Sequence, residues 1–269
     1  MQQVPVTALC SIYAQTTTYE FSLAISSLFS GFVIPSELIV VIDGPISHDL
    51  DFVLDQLDFP TKVRKLTLQH NHGLGLALSK ALMICTYKYI FRFDTDDVNA
   101  PHRLYYQYLF MLNNNSVDVL GSYISEQILV PSIVSSLKRV PTHDYSIKSS
   151  FHFRNSINHP SSLFKLQSVL SAGSYQDCRY FEDYLLWLTM RDRNAIFANL
   201  SLPLVITTRH SFAERRSGLS YFRAELIFVL KYFNTKRHSN LTILVLFIRA
   251  FTRLLPFQNF INKFLPWRQ

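Results

Sequence analysis

With 269 residues, 48% of them hydrophobic, the chain has the material for one large, well-filled domain, which excludes an intrinsically disordered protein. Its three cysteines, Cys10, Cys85 and Cys178, are far apart and form no CxxC or Cys/His cluster, which points to reduced thiols in a cytosolic setting and away from zinc. The net charge of +7 is concentrated at one end: residues 226–269 hold seven Lys or Arg and no Asp or Glu, so residues 1–225 are neutral.

In chain order, MQQVPVTALCSIYAQ lacks the charged and long apolar regions of a signal peptide and reads as the start of the fold, with a first strand in VTALCSIYA. A helix follows in YEFSLAISSLFSG, stopped at Gly31, and a second strand, SELIVVIDG, ends in Asp43-Gly44. VRKLTLQHN is a third strand, GLALSKALMICT a helix and YKYIFRFD a fourth strand. Near-continuous apolar strands separated by helices predict an α/β fold with a Rossmann-like, mostly parallel central sheet covered on both faces. In such sheets ligands bind at the carboxyl ends of the strands, where Tyr13, Asp43 and Asp94 fall. The Ser-rich region from about 122 to 150 reads as a mobile loop.

The fourth strand closes on FDTDDV, three carboxylates in four residues. Asp94 and Asp96, two apart, point to one side of an extended strand end, while Asp97 is placed to cap the helix that Pro101 helps start. Two carboxylates on one side suit a hard divalent cation, Mg²⁺ or Mn²⁺, with a diphosphate completing its shell. The bland alternative, helix caps on a solubilising loop, explains Asp97 well and the other two poorly. The same letters also match the DxDx(T/V) signature of haloacid-dehalogenase-like phosphatases, in which the first Asp is a phosphorylated nucleophile, and this remains an alternative at this point.

Downstream, Glu182 and Asp183 open an apolar helical run in which Asp183 and Trp187 share a face. They suit an N-terminal cap, and equally a general base whose pKa its neighbour raises. His159, in NSINHPSSLF, has the surroundings of a structural histidine. The tail from 226 interleaves basic and aromatic residues, and its longest largely apolar run, Leu241–Ile248, is too short to span a bilayer. Such a segment suits a helix in a membrane interface or a helix pair packed on the domain. No nucleic-acid motif accompanies the charge.

The ordered set SIYA, VVIDG, NHGLGLALSKAL, FDTDDVNAPHRL, GSY, NHPSSLF, GSYQD, FEDYLLWL and ERRSGLSYFRAE resembles family 2 glycosyltransferases of the GT-A fold, and among them bacterial exopolysaccharide and O-antigen enzymes of the amylovoran-biosynthesis type. The resemblance implies a GT-A domain over residues 1–225 and a basic amphipathic extension over 226–269. It implies that Tyr13, Asp43, Arg92 and Asp94 bind the sugar nucleotide, that Asp96 and Asp94 hold Mn²⁺ or Mg²⁺, and that Asp183 is the general base with Glu182 assisting. His159, Trp187, Arg209, Arg215 and Arg216 are then candidates for acceptor or diphosphate contacts. The implied reaction is inverting transfer from a nucleoside diphosphate sugar, by expectation a UDP-sugar, to a polyprenyl-diphosphate-linked saccharide, at the inner face of the cytoplasmic membrane. A non-catalytic scaffold of the same fold is the remaining alternative.

Overall fold

A computed structural model describes residues 2–56, 58–129, 133–209, 218–235 and 237–252, with backbone only at 128, 129, 133, 134, 208, 209, 218 and 252. Strands β1 (Gln2–Ile12), β2 (Val33–Asp43), β3 (Lys62–Leu68) and β4 (Tyr89–Arg92) alternate with helices α1 (Thr18–Phe29), α2 (His48–Gln56) and α3 (Leu74–Leu82). They pair in parallel in the spatial order β3-β2-β1-β4. This parallel half is the one expected from its apolar strands, and it sets the carboxyl ends of β1, β2 and β4 along one edge.

Both faces of these strands are buried because alternate residues serve different layers. Val6, Ala8, Cys10 and Ile12 of β1 pack with Phe21 and Ile25 of α1, whereas Leu9, Ile39 and Val41 pack with Leu78 and Leu82 of α3 on the other side. Helix α1 starts where the sequence provides a capping box: Thr17 and Glu20 satisfy each other's backbone donors reciprocally.

Beyond β4 the sheet becomes mixed. A short strand, β5 (Asp97–Asn99), leads into α4 (Arg103–Asn113), and β6 (Val119–Leu129) and β7 (Ile133–Lys138) pair as antiparallel neighbours. Helix α5 (Asp144–Ser150), a short 3-10 turn at His159–Ser161, β8 (Leu163–Lys165), α6 (Leu166–Ser171), α7 (Glu182–Arg191) and β9 (Phe197–Arg209) follow. β8 runs antiparallel to both β4 and β6, and β9 runs parallel to β6 and antiparallel to β5. Where a mobile loop was expected over 122–150, the described residues instead form the paired strands β6 and β7 and helix α5. The serines of this region misled because they serve the ladder: Ser122 is fully buried and its backbone N–H donates to the Ser161 hydroxyl at 3.0 Å.

The C-terminal helices α8 (Gly218–Phe233) and α9 (Asn240–Thr252) form a helical pair against α7. The boundary expected at 225/226 falls inside α8, whose Phe228 and Tyr232 are fully buried in the same core as Trp187 and Phe181. Phe228 stacks on Phe181 with ring centroids 4.9 Å apart. Arg249 of α9 is ion-paired with the fully buried Glu225 of α8, and it also donates to the Phe153 carbonyl at 2.9 Å. Across the seam, Arg191 of α7 donates to the Tyr232 hydroxyl at 2.7 Å and to Thr242 at 3.2 Å. Among the described residues no helix is long and apolar enough to cross a membrane.

Removing one partner of a buried ion pair strands the other charge in a low-dielectric site. Glu225→Ala is accordingly expected to lower unfolding stability by about 3–5 kcal/mol, measured by denaturant titration, whereas an exposed control such as Arg237→Ala changes it by less than about 0.5 kcal/mol.

Candidate active site

The three carboxylates after β4 gather on the carboxyl edge of the parallel half. One ligand oxygen from each of Asp94, Asp96 and Asp97 lies within 4.8 Å of the others. Asp94 is half-buried, Asp96 exposed and Asp97 buried. Asp97 does not cap α4, as its position before Pro101 had suggested. It opens β5, which pairs with Thr207 of β9, so the sheet takes up its backbone and turns its carboxylate into the cluster.

Crowding makes these carboxylates reluctant to ionise together. Surrounding protein and the charge of Asp94 push Asp96 up to about 6, and deeper burial with both neighbours raises Asp97 well above the usual carboxylate range. Hard oxygen donors held this close, with raised proton affinity, are a fitting donor set for a small divalent cation, which relieves the same repulsion.

Beneath them lies Arg92. The sequence reading placed it against the nucleotide, but its side chain is 1% exposed and points under the cluster, ion-paired with Asp94. Burial opposes the charge on Arg92, but the charge and hydrogen bond of Asp94, with Tyr175 and Asp97, together raise its pKa. Its Nε and Nη1 are buried without a hydrogen-bond partner among the described residues. A second buried guanidinium supports the floor: Arg103 donates to the Arg92 carbonyl at 2.7 Å and to Gln107 at 3.1 Å, bonds Asn99, and sits 3.9 Å over the Phe91 ring.

At the end of β2, Asp43 is nearly buried, and its two oxygens accept the backbone N–H groups of His72 and Gly73 at 2.8 and 2.9 Å. The expected base-binding carboxylate thus also latches the loop that starts α3. Two glycines let that loop sit so close: Gly73 has φ of +83°, and a Cβ on Gly75 would lie 2.5 Å from the Gln176 carbonyl and 3.0 Å from Glu182 Cβ. Tyr13, just past β1, is 40% exposed, with its hydroxyl on Gln15 at 3.2 Å.

Helix α7 presents Glu182 and Asp183 in its first turn. Asp183 accepts from Asn155 Nδ2 and from the Tyr184 backbone N–H, both at 2.7 Å. Glu182 is pushed up to about 7 by burial first and the Asp183 charge second, and it also feels Arg92 and Asp94. Tyr175, fully enclosed, senses Arg92, Asp183, Glu182 and Asp94 alike, and burial pushes its hydroxyl far above its ordinary value. The acidic cluster and the α7 pair therefore share one electrostatic site.

Two candidates are corrected. Trp187 is fully buried, packed between His159 and Phe164, because the face of α7 that it shares points into the core. His159 is buried with Nε2 at 2.8 Å from the Tyr175 hydroxyl, and burial with nearby Arg92 holds its pKa well below 6.5. Neither is open to an acceptor. The side chain of Arg209, and Arg215 and Arg216 altogether, lie outside the described residues. Sequence reasoning did not single out Tyr175, Asn155 or Arg103, although all three lie inside quoted motifs; the partners of Tyr175 and Asn155 are distant in sequence.

A sheet ordered β3-β2-β1-β4 with a carboxylate cluster after β4, extended by the mixed strands, is the arrangement of a GT-A fold. Solved structures agree in fold: 97% of this chain matches the Staphylococcus aureus TarS structure at TM-score 0.67 and 15% identity, spanning 45% of that chain. TarS residues 1–349 in complex with UDP-GlcNAc match 97% of the chain at TM-score 0.66 and 16% identity, over 75% of that chain. The Pyrobaculum calidifontis mannosyltransferase PcManGT, in complex with GDP-Man and Mn²⁺, matches 98% at TM-score 0.65 and 10% identity, over 72% of that chain.

In sequence, the profile of Glycosyl transferase family 2 matches residues 24–167. An Escherichia coli UDP-Gal:alpha-D-GlcNAc-diphosphoundecaprenol beta-1,3-galactosyltransferase is 30% identical over 95% of this chain and 94% of its own. The Erwinia amylovora amylovoran biosynthesis glycosyltransferase AmsE is 30% identical over 92% and 93%. The chain belongs to glycosyl transferase family 2, and the phosphatase reading of DTDDV is set aside.

Glu182 provides a pH test of this geometry. Its pKa is raised from 4.5 to about 7, so its contribution to stability is full below pH 4.5 and is lost as pH rises through 7. Glu182→Gln removes that loss. Its melting temperature relative to wild type is expected to climb between pH 5 and 8, by the equivalent of about 1–3 kcal/mol.

Proposed function

We propose that this chain is a metal-dependent, inverting hexosyltransferase that moves a sugar from a UDP-sugar to a saccharide carried on a polyprenyl diphosphate, in the assembly of a bacterial surface polysaccharide. The observation that carries the reading is one shared site containing the Asp94, Asp96 and Asp97 cluster and the Glu182 and Asp183 pair. The donor and acceptor in the name of the Escherichia coli relative, similar over nearly the whole length of both chains, support the choice of UDP and of a lipid diphosphate.

In this reading Asp96 and Asp94 hold Mn²⁺ or Mg²⁺, which supplies positive charge to the departing diphosphate when bound. Arg92 is ion-paired with Asp94 from below. Tyr13 offers a ring face to the nucleoside, and Asp43 shapes the same edge through the loop that it latches. Asp183 takes the proton of the acceptor hydroxyl as that oxygen bonds to the anomeric carbon; the bond from that carbon to the diphosphate oxygen breaks, UDP leaves with the electron pair, and configuration inverts. Glu182 borders the acceptor side. Arg215 and Arg216 remain proposed diphosphate contacts, suited by bidentate geometry.

The C-terminal pair fits work at the inner face of the cytoplasmic membrane. It exposes Leu230, Phe233, Leu244, Phe247, Ile248 and Phe251, and no acidic residue follows Glu225. An apolar ridge beside basic residues suits the interface of an anionic bilayer. Because Leu246, Arg249 and Ala250 are buried in the domain, the test is substitution of the exposed face and not truncation. Phe247→Glu/Ile248→Glu is expected to weaken cosedimentation with phosphatidylglycerol vesicles at least tenfold while the melting temperature holds. Undiminished sedimentation would remove the membrane from this reading.

The chemistry is tested by calorimetric titration with UDP, with and without Mn²⁺. Wild type and Asp183→Asn are expected to bind in a metal-dependent manner and Asp96→Ala to lose at least tenfold in affinity, whereas transfer by Asp183→Asn falls about 10³-fold or more. A chain that binds no nucleotide and transfers nothing would be a scaffold.

A further inference from the structure

We propose that Asn155 is the positioning residue of the general base, fixing the Asp183 carboxylate for proton abstraction; this rests on the assignment of Asp183 as that base.

Asn155 lies in the turn between α5 and the His159 3-10 turn, 28 residues before Asp183 in sequence. Both ends of its amide are committed. Nδ2 donates to Asp183 Oδ2 at 2.7 Å, and Oδ1 accepts the backbone N–H of Ile157 at 3.1 Å. A flipped amide would set oxygen against carboxylate and NH₂ against N–H, so the network admits one orientation. The donated bond is charge-assisted and therefore strong enough to select a carboxylate rotamer. Asp183 Oδ1 is held in turn by the Tyr184 N–H at 2.7 Å, so the carboxylate is oriented from two directions.

The turn itself is braced. The Phe151 carbonyl accepts from the Tyr184 hydroxyl at 2.8 Å, and the Phe153 carbonyl accepts from Arg249 at 2.9 Å. Its supports are thus α7, the helix that carries the base, and α9. A group placed this way touches no reacting atom and acts by holding the one that does. Among the described residues, Glu182, Tyr175 and Cys178 feel the Asp183 charge.

A purely local role is available to Asn155, since its Oδ1 bond to Ile157 N–H alone closes the turn. The two roles separate on Asn155→Asp, which keeps that acceptor but replaces the donor to Asp183 with a second carboxylate. Turnover is measured as UDP release from UDP-galactose with a GlcNAc-diphosphoryl lipid, for wild type, D183N, N155A and N155D. N155A is expected to lose about 10–100-fold in kcat with donor KM within twofold, and N155D to fall at least tenfold further, with its acid limb moved to higher pH by about one unit.

Near-wild-type N155D beside an inactive D183N overturns the inference and leaves the base assignment standing. An active D183N overturns the base assignment itself. Melting supplies a readout that needs no substrate: N155D is expected to lose stability as pH rises from 5 to 8, and N155D/D183N to regain it. Additive effects of the two substitutions would overturn the contact and the inference with it.

Discussion

Carboxylates from two distant segments crowd one edge of the sheet, and the buried guanidinium of Arg92 is the internal cation beneath them. Its ion pair with Asp94 offsets part of the repulsion among Asp94, Asp96 and Asp97, and its field reaches Glu182, Tyr175 and His159. A guanidinium stays charged when buried, as few other side chains do, so it can act as a fixed counter-charge where a lysine would tend to neutralise. Among the described residues the cluster is short of positive charge, a deficit that a divalent cation would relieve. Arg103 extends the floor, tying Asn99 and Gln107 to the β4 backbone so that the acidic turn rests on a satisfied polar layer.

Rigidity reaches the site from several directions. Asp43 holds the loop before α3, and Gly75 at the start of α3 packs closely on Gln176 and Glu182, so the end of β2 and the start of α7 are tied together. Helix α7 is fixed from behind by α8 and α9, with Arg191 bonding Tyr232 and Thr242. The C-terminal pair therefore has two faces: one completes the core beneath the base helix, and the other leaves large apolar side chains in solvent. Orientation of the site toward whatever meets that outer face follows from rigid packing.

Several sequence expectations gave way where side-chain chemistry was ambiguous without neighbours. Asp97 looked like a helix cap because Pro101 follows, but the partner strand that claims it lies over 100 residues on. Trp187 and Asp183 do fall on adjacent turns of α7, yet one is wholly buried and the other borders the site, since the helix enters the core within a single turn. His159 is enclosed by Tyr175 and Trp187, partners that no local pattern discloses.

What the sequence by itself determined is the parallel half of the sheet, its carboxyl edge, and the acidic motifs FDTDD and ED. Apolar periodicity and short-range motifs encode these, because each depends on residues close along the chain. What only the tertiary structure decided is which of those groups share one field: Arg92 paired with Asp94, Tyr175 buried within reach of both acidic groups' charge, and Asn155 on Asp183. It also decided that α8 and α9, the described part of the basic tail, pack into the core. These depend on contacts between distant segments in a low-dielectric interior, where a partner's position, and not its spacing in the chain, sets charge and accessibility.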